Sequence, residues 1–156
     1  MKDCIKNHVL LGIVCLAVYL PSLWNDFQMG WDDQWQVMNR YTEEGFTSEN
    51  LKAVFTDYYY GQYSPVNQLF YMLIYKAFGY HPTVFHLYSL LLHIANCCLL
   101  FAFLSRLAGI FCHQKPGVIA LTASLLFAIH PLQVESIAWI SASKIPLFGK
   151  LRLIFL

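Results

Sequence analysis

Charge is the first thing this sequence is short of. Only 12% of its 156 residues are Asp, Glu, Lys or Arg, against roughly 25% in a soluble globular domain. So few charges cannot dress a water-facing surface. Intrinsic disorder is excluded by the 58% hydrophobic content, because disorder needs low hydrophobicity and high charge. The formal net charge of +1, with no basic patch, argues against nucleic-acid binding. Glycine is too scarce, at 8 residues, for a collagen-like chain. The 5 cysteines (Cys4, Cys15, Cys97, Cys98 and Cys112) form no CxxC pair and no zinc spacing. Cys15, Cys97 and Cys98 lie inside apolar runs and read as small buried hydrophobes. No G-x-S-x-G, Walker loop, G-x-G-x-x-G or H-E-x-x-H occurs, so no cofactor is evident. What is left is an all-α, multi-pass integral membrane protein.

The apolar runs give its plan. A bilayer-crossing helix needs about 20 apolar residues. Three to four crossings are expected: 9–24, 84–107, 117–130 and a partial one over 136–156. Lys2 and Lys6 precede the first run and no small-residue cleavage site follows it, so it reads as an uncleaved span rather than a signal peptide. The same lysines place the N-terminus in the cytoplasm by the positive-inside rule. Residues 25–82 then form a non-cytoplasmic loop. Its 25–64 part holds seven of the nine acids in the chain. Within the loop, 65–79 is too short and too polar to span, with Asn67, Gln68 and Lys76 interrupting it. Its apolar residues recur at helical spacing, which predicts an interfacial amphipathic helix. Arg106 and Lys115 fall inside on this map.

Three sets of residues could carry chemistry. Asp32 and Asp33 sit between Trp31 and Trp35, just outside the first span. Mutual repulsion and apolar rings raise the proton affinity of one carboxylate of such a pair, so it can take a proton from a hydroxyl. The same pair could ligate a divalent cation, and it reads equally as a solvated acidic loop flanked by interfacial tryptophans. His130-Pro131 and Glu135 follow the third span, and Glu135 is the only acid after Asp57. Ionisable groups at membrane depth usually face a cavity or a partner, although an acid early in a helix also complements its dipole. His86, His93 and Asn96 fall near one face of the second span and read as interhelical hydrogen-bonding groups. A metal site there would need more ligands than the sequence offers.

The order of these pieces is itself informative. An uncleaved span and an Asp-Asp loop are followed by Tyr63-Ser64-Pro65, then Phe78-Gly-Tyr-His-Pro82. Phe85-His-Leu-Tyr-Ser-Leu-Leu-Leu-His93-Ile-Ala-Asn96 comes next, and Leu126-Phe-Ala-Ile-His-Pro-Leu-Gln-Val-Glu-Ser-Ile-Ala-Trp-Ile-Ser141 closes the series. This order resembles the front part of membrane O-mannosyltransferase-like proteins with tetratricopeptide repeats. More broadly, it resembles the GT-C class of polyprenyl-phosphate-sugar-dependent glycosyltransferases. The resemblance covers residues 9–145. It implies sugar transfer at the non-cytoplasmic face from a polyprenyl-phosphate donor to a protein or glycan acceptor, with inversion. It further implies that Asp32 is the base or acceptor-positioning carboxylate and that Asp33 tunes it. His130 and Glu135 would bind substrate in the same outer cavity. Ser64 stands where the family carries Arg, and Ala142-Ser143-Lys144-Ile145 stands where it carries an Arg-Lys-Asp-like run. Family members hold many more spans. The chain is therefore expected to be a single truncated or frameshifted domain, 1–156, inactive alone. The competing expectation is a non-catalytic small membrane protein that acts only through helix–helix contacts.

Overall fold

Prolines set where the longer helices begin. Pro65, Pro82 and Pro116 each stand at the start of a helix, where a missing N–H costs nothing and the fixed φ already suits the helix. The computed structural model describes residues 2–111 and 115–154, with side chains placed at 4–111 and 115–149. Cys112 and His113 lie outside the described residues. Among the described residues every regular element is a helix, apart from one isolated bridge between Tyr59 and Gln62.

Helix α1 (Lys2–Tyr19) runs on into a 3-10 turn, Leu20–Trp24. The acidic loop then forms the short helices α2 (Asp32–Gln36), α3 (Arg40–Glu44) and α4 (Ser48–Thr56), followed by α5 (Pro65–Phe78). The remainder is α6 (Pro82–Phe111), α7 (Pro116–Ile129), α8 (Gln133–Ala138), a 3-10 turn at Ile140–Ser143, and α9 (Lys144–Ile154). Two stretches, Cys4–Trp24 and Pro82–Phe111, are long and apolar enough to cross a membrane. At 1.5 Å per residue α7, with 14 residues, reaches about 21 Å, short of the ~30 Å hydrocarbon core. The expected span over 117–130 is therefore present as an apolar helix below crossing length.

α6 is the central element and packs against α1, α7 and α9. It is also the more enclosed of the two long helices: 39% of its apolar window is buried inside the fold, against 17% for α1. Its polar residues His86, His93 and Asn96 are all buried. His93 Nε2 lies 3.1 Å from the carbonyl oxygen of Ala128 in α7. Asn96 Nδ2 donates to the carbonyl of Pro146 in α9 at 2.7 Å. Both contacts join helices, as expected of polar groups on the inward face of an apolar helix. His86 has no hydrogen-bond partner for either ring nitrogen among the described residues.

The buried side of α5 mixes polar and apolar residues, with Met72 and Ile74 enclosed beside two polar ones. Asn67 and Tyr71, one turn apart, are buried, while Val66, Leu73 and Phe78 are exposed. An apolar outer face suits the interfacial placement expected from its length. Gly79, at φ +66°, ends α5 in a left-handed conformation that glycine adopts without a Cβ penalty, and the chain turns into Pro82.

Within the partial span expected over 136–156, the described residues carry a break in the helix. α8 ends at Ala138, Trp139 is extended (φ −112°, ψ 119°), and the chain re-enters helix only after the 3-10 turn. The reason is a contact from the acidic loop, described next.

Candidate functional site

The site begins with a glycine. Gly30, at φ +87°, reverses the chain ahead of Trp31, and its N–H donates to Gln34 Oε1 at 2.8 Å. This turn folds the Asp32–Asp33 pair back under the loop. Asp33 is then 1% exposed. Its Oδ2 accepts the N–H of Gln28 at 2.9 Å, and its Oδ1 accepts the N–H of Ser141 at 2.8 Å. A buried carboxylate is tolerable only when hydrogen-bonded in this way. The second bond pins the loop to the 3-10 turn and interrupts the helix at Trp139. The rings of Trp31 and Trp139 meet edge-to-face beside it, with centroids 5.8 Å apart.

The same turn is held from the other side by α5. The Tyr71 hydroxyl donates to the carbonyl of Ile140 at 2.9 Å and lies 2.8 Å from Ser143 Oγ. Ser143 Oγ donates to Asn67 Oδ1 at 3.2 Å. Burial pushes the Tyr71 phenol well above its ordinary value, so it keeps its proton and remains a donor.

Asp32 is placed differently from its neighbour. It is half-buried, and its carboxylate makes no hydrogen bond among the described residues. It acts electrostatically on Lys144, whose ammonium donates to Gln62 Oε1. Lys144 is part of the wall of a cavity of about 450 Å³. Tyr63, Ser64 and Asn67 contribute polar groups to that wall, while Pro65, Val66, Leu147 and Phe148 make it mostly apolar. The Asp32 carboxylate thus acts on a cation that belongs to the wall of an apolar cleft.

His130 and Glu135 are exposed, and neither lines this cavity. His130 Nδ1 instead accepts the N–H of Leu132 at 3.2 Å, a local contact in the turn after α7. Asp32 and Asp33 do not line it either. Asp32 and Asp33 are not joined by a third carboxylate, His or Cys as a metal-ligating cluster among the described residues. Tyr71, Asn67 and Ser143 went unrecognised in the sequence. The polar pair Asn67 and Tyr71 at helical spacing is the signal that could have found them.

Among the described residues, fold and site together define an all-helical arrangement with two helices of membrane-crossing length and an acidic loop clamped by a buried aspartate. In sequence the chain is similar to the protein O-mannosyl-transferase F38B6.6 of Caenorhabditis elegans, at 26% identity over 144 residues. The match covers 86% of this chain and 20% of that protein, so the chain spans about a fifth of the relative's length. No protein-family profile and no solved structure matches.

Proposed function

We propose that residues 1–156 correspond to the first spans and outer loop of a multi-pass, polyprenyl-phosphate-sugar-dependent glycosyltransferase of the O-mannosyltransferase kind. The observation that supports it most is the unequal use of the aspartate pair. Asp33 is committed to two backbone N–H groups, whereas Asp32 keeps its oxygens for a substrate beside Lys144 and an apolar cleft. On this reading Asp32 takes the proton of an acceptor hydroxyl as that oxygen attacks the anomeric carbon. The bond from that carbon to the donor phosphate breaks, and its electron pair leaves with the polyprenyl phosphate. Lys144 neutralises the departing charge, and the apolar wall accommodates lipid. A single displacement of this kind needs one base and no covalent protein nucleophile. Asp33 acts as a positioning residue. The cavity itself gives no role to His130 or Glu135.

The test uses a full-length relative that carries the Trp-Asp-Asp-Gln-Trp segment. The Asp32→Asn change at the matching position should lower sugar transfer at least ~100-fold, the smaller end of what a positioned base supplies, with expression unchanged. Retained transfer removes Asp32 from the mechanism. The reading also places the acidic loop outside the cytoplasm. Single cysteines introduced near Glu44 should react with membrane-impermeant reagents from the outer side, and those near Lys115 should not. The opposite pattern inverts the orientation.

A further inference from the structure

Away from the carboxylate loop, the packing of α1 on α6 brings together three side chains far apart in the sequence. Cys15 Sγ lies 3.8 Å from Cys97 Sγ, and Cys97 Sγ lies 3.5 Å from His93 Nε2. The three ligand atoms all fall within 4.8 Å of one another, and each residue is at most 1% exposed. The stripe on α6 offers too few ligands by itself, and α1 supplies the missing one.

We propose that Cys15, His93 and Cys97 bind a thiophilic divalent cation of the zinc class, which would tie α1 to α6. Geometry is the first argument. With Zn–S near 2.3 Å and Zn–N near 2.0–2.1 Å, a tetrahedral centre puts two sulfurs about 3.8 Å apart and a sulfur and a nitrogen about 3.6 Å apart. The observed separations of 3.8 Å and 3.5 Å match two of those edges, and the third pair, Cys15 and His93, lies within 4.8 Å, so a small closure of α1 toward His93 completes the triangle.

Charge is the second argument. In an apolar interior an uncompensated ion is costly, and two thiolates with one neutral imidazole bring a divalent cation to net zero. Binding therefore releases two protons, one from each thiol, and leaves the imidazole neutral with its proton on Nδ1, so that Nε2 exchanges its contact with the Ala128 carbonyl for the metal. The ligand type is the third. Thiolate and imidazole suit zinc, whereas calcium and magnesium require oxygen donors. Tyr19, one turn along α1 from Cys15, offers a fourth group. Its hydroxyl is buried with no hydrogen-bond partner among the described residues, and its ring meets that of His93 edge-on at 5.3 Å.

The experiment uses the full chain in detergent, kept reduced, with Cys4 and Cys112 replaced by Ala to remove competing thiols. Cys4 needs this because its Sγ lies 3.7 Å from His8 Nδ1 in an exposed pair. Zn2+ and Co2+ are the probes. The expected result is one metal ion retained per chain after desalting, with thiolate-to-cobalt charge-transfer absorption for the Co2+ form. Zn2+ should also protect Cys15 and Cys97, but not Cys98, from alkylation. Cys15→Ala and Cys97→Ala should weaken binding at least ~100-fold, and Cys98→Ala should leave it unchanged. Circular dichroism identifies any variant that has lost its helices; His93→Gln, which keeps both thiols, then provides the loss-of-ligand measurement. Absence of stoichiometric metal in the reduced protein overturns the proposal. So does equal binding by the Cys15 and Cys98 variants, or a Cys15–Cys97 disulfide that forms equally with and without zinc.

Discussion

The acidic loop and the long helices differ in how they use buried polar groups, although Asn50 Oδ1 in the loop also lacks a partner among the described residues and His93 and Asn96 in α6 each hold a contact between helices. In the loop, Asp33, Asn39, Thr42 and Asn67 are all buried, and each side chain holds a hydrogen bond that fixes the path of the backbone or of a neighbouring side chain. Among the long helices, Tyr19 and Ser124 keep buried hydroxyls without partners among the described residues, and His86 keeps both ring nitrogens so. The loop needs many specific bonds because its helices α2, α3 and α4 are short and bury little on their own. The long helices satisfy their backbones internally, so their side-chain polarity is released for contacts between helices or with ligands. Loop stability should therefore respond sharply to removing one hydrogen-bonding group, and bundle stability only weakly.

The largest effect is expected at Asp33. Asp33→Ala removes two charge-assisted bonds and leaves the N–H groups of Gln28 and Ser141 without their acceptor. Bonds to charged groups contribute roughly 1.5–3 kcal/mol each, so a loss of at least ~3 kcal/mol is expected. Limited proteolysis in detergent should show faster cleavage between Asn25 and Thr56 and in the Trp139–Ser143 turn together. Asp33→Asn, which keeps one acceptor oxygen, should fall between wild type and Asp33→Ala. If cleavage rises in the loop but not in the turn, the carboxylate is not what joins them.

Tyr71→Phe comes next. It keeps the ring against Phe85 but loses the bonds to Ile140 and Ser143. About 1–2 kcal/mol of local stability should go with them, since neutral hydrogen bonds contribute about 1 kcal/mol each. Hydrogen exchange over Ile140–Ser143 should speed up while exchange in the middle of α6 stays as it was. Equal acceleration in both regions would mean that loop and bundle are one cooperative unit, and the contrast drawn above would fail.

Much of this contrast was legible in the sequence, and the missing part has a common cause. The apolar runs, the prolines at 65, 82 and 116 and the lysines before the first run suffice to place α1, α5, α6 and α7. The stripe of His86, His93 and Asn96 is buried as its spacing predicts, because three polar groups on one face of an apolar helix must turn toward protein. What local periodicity does not reveal is contact across long separations. Asp33 meets Ser141 over 108 residues, and Cys15 meets Cys97 over 82. The first interrupts the helix expected through Trp139 and draws Lys144 to the cleft. The second turns apparent small hydrophobes into members of a ligand-type cluster. Composition and spacing alone did not separate Asp32 from Asp33; the resemblance gave them different roles, and the bond of Asp33 to the turn after α8 separates them physically.

The smallest effect is expected at Asn96, where the comparison is tested from the bundle side. Its side chain is 3% exposed and donates to the Pro146 carbonyl in α9, so a soluble protein would lose appreciably on its removal. In a helical bundle surrounded by lipid, such a bond averages only ~0.6 kcal/mol, because the separated helices find other partners for the same groups. Asn96→Leu also adds apolar volume of similar size in place of an amide whose Oδ1 has no partner among the described residues. The expected change in stability is therefore within about 0.6 kcal/mol, measured by thermal unfolding in detergent beside Asp33→Ala. A loss as large as that of Asp33→Ala would show that the bundle, like the loop, is held by its hydrogen bonds. In that case the α6–α9 contact, rather than the packing of apolar faces, would be what sets the position of Lys144 above the cleft.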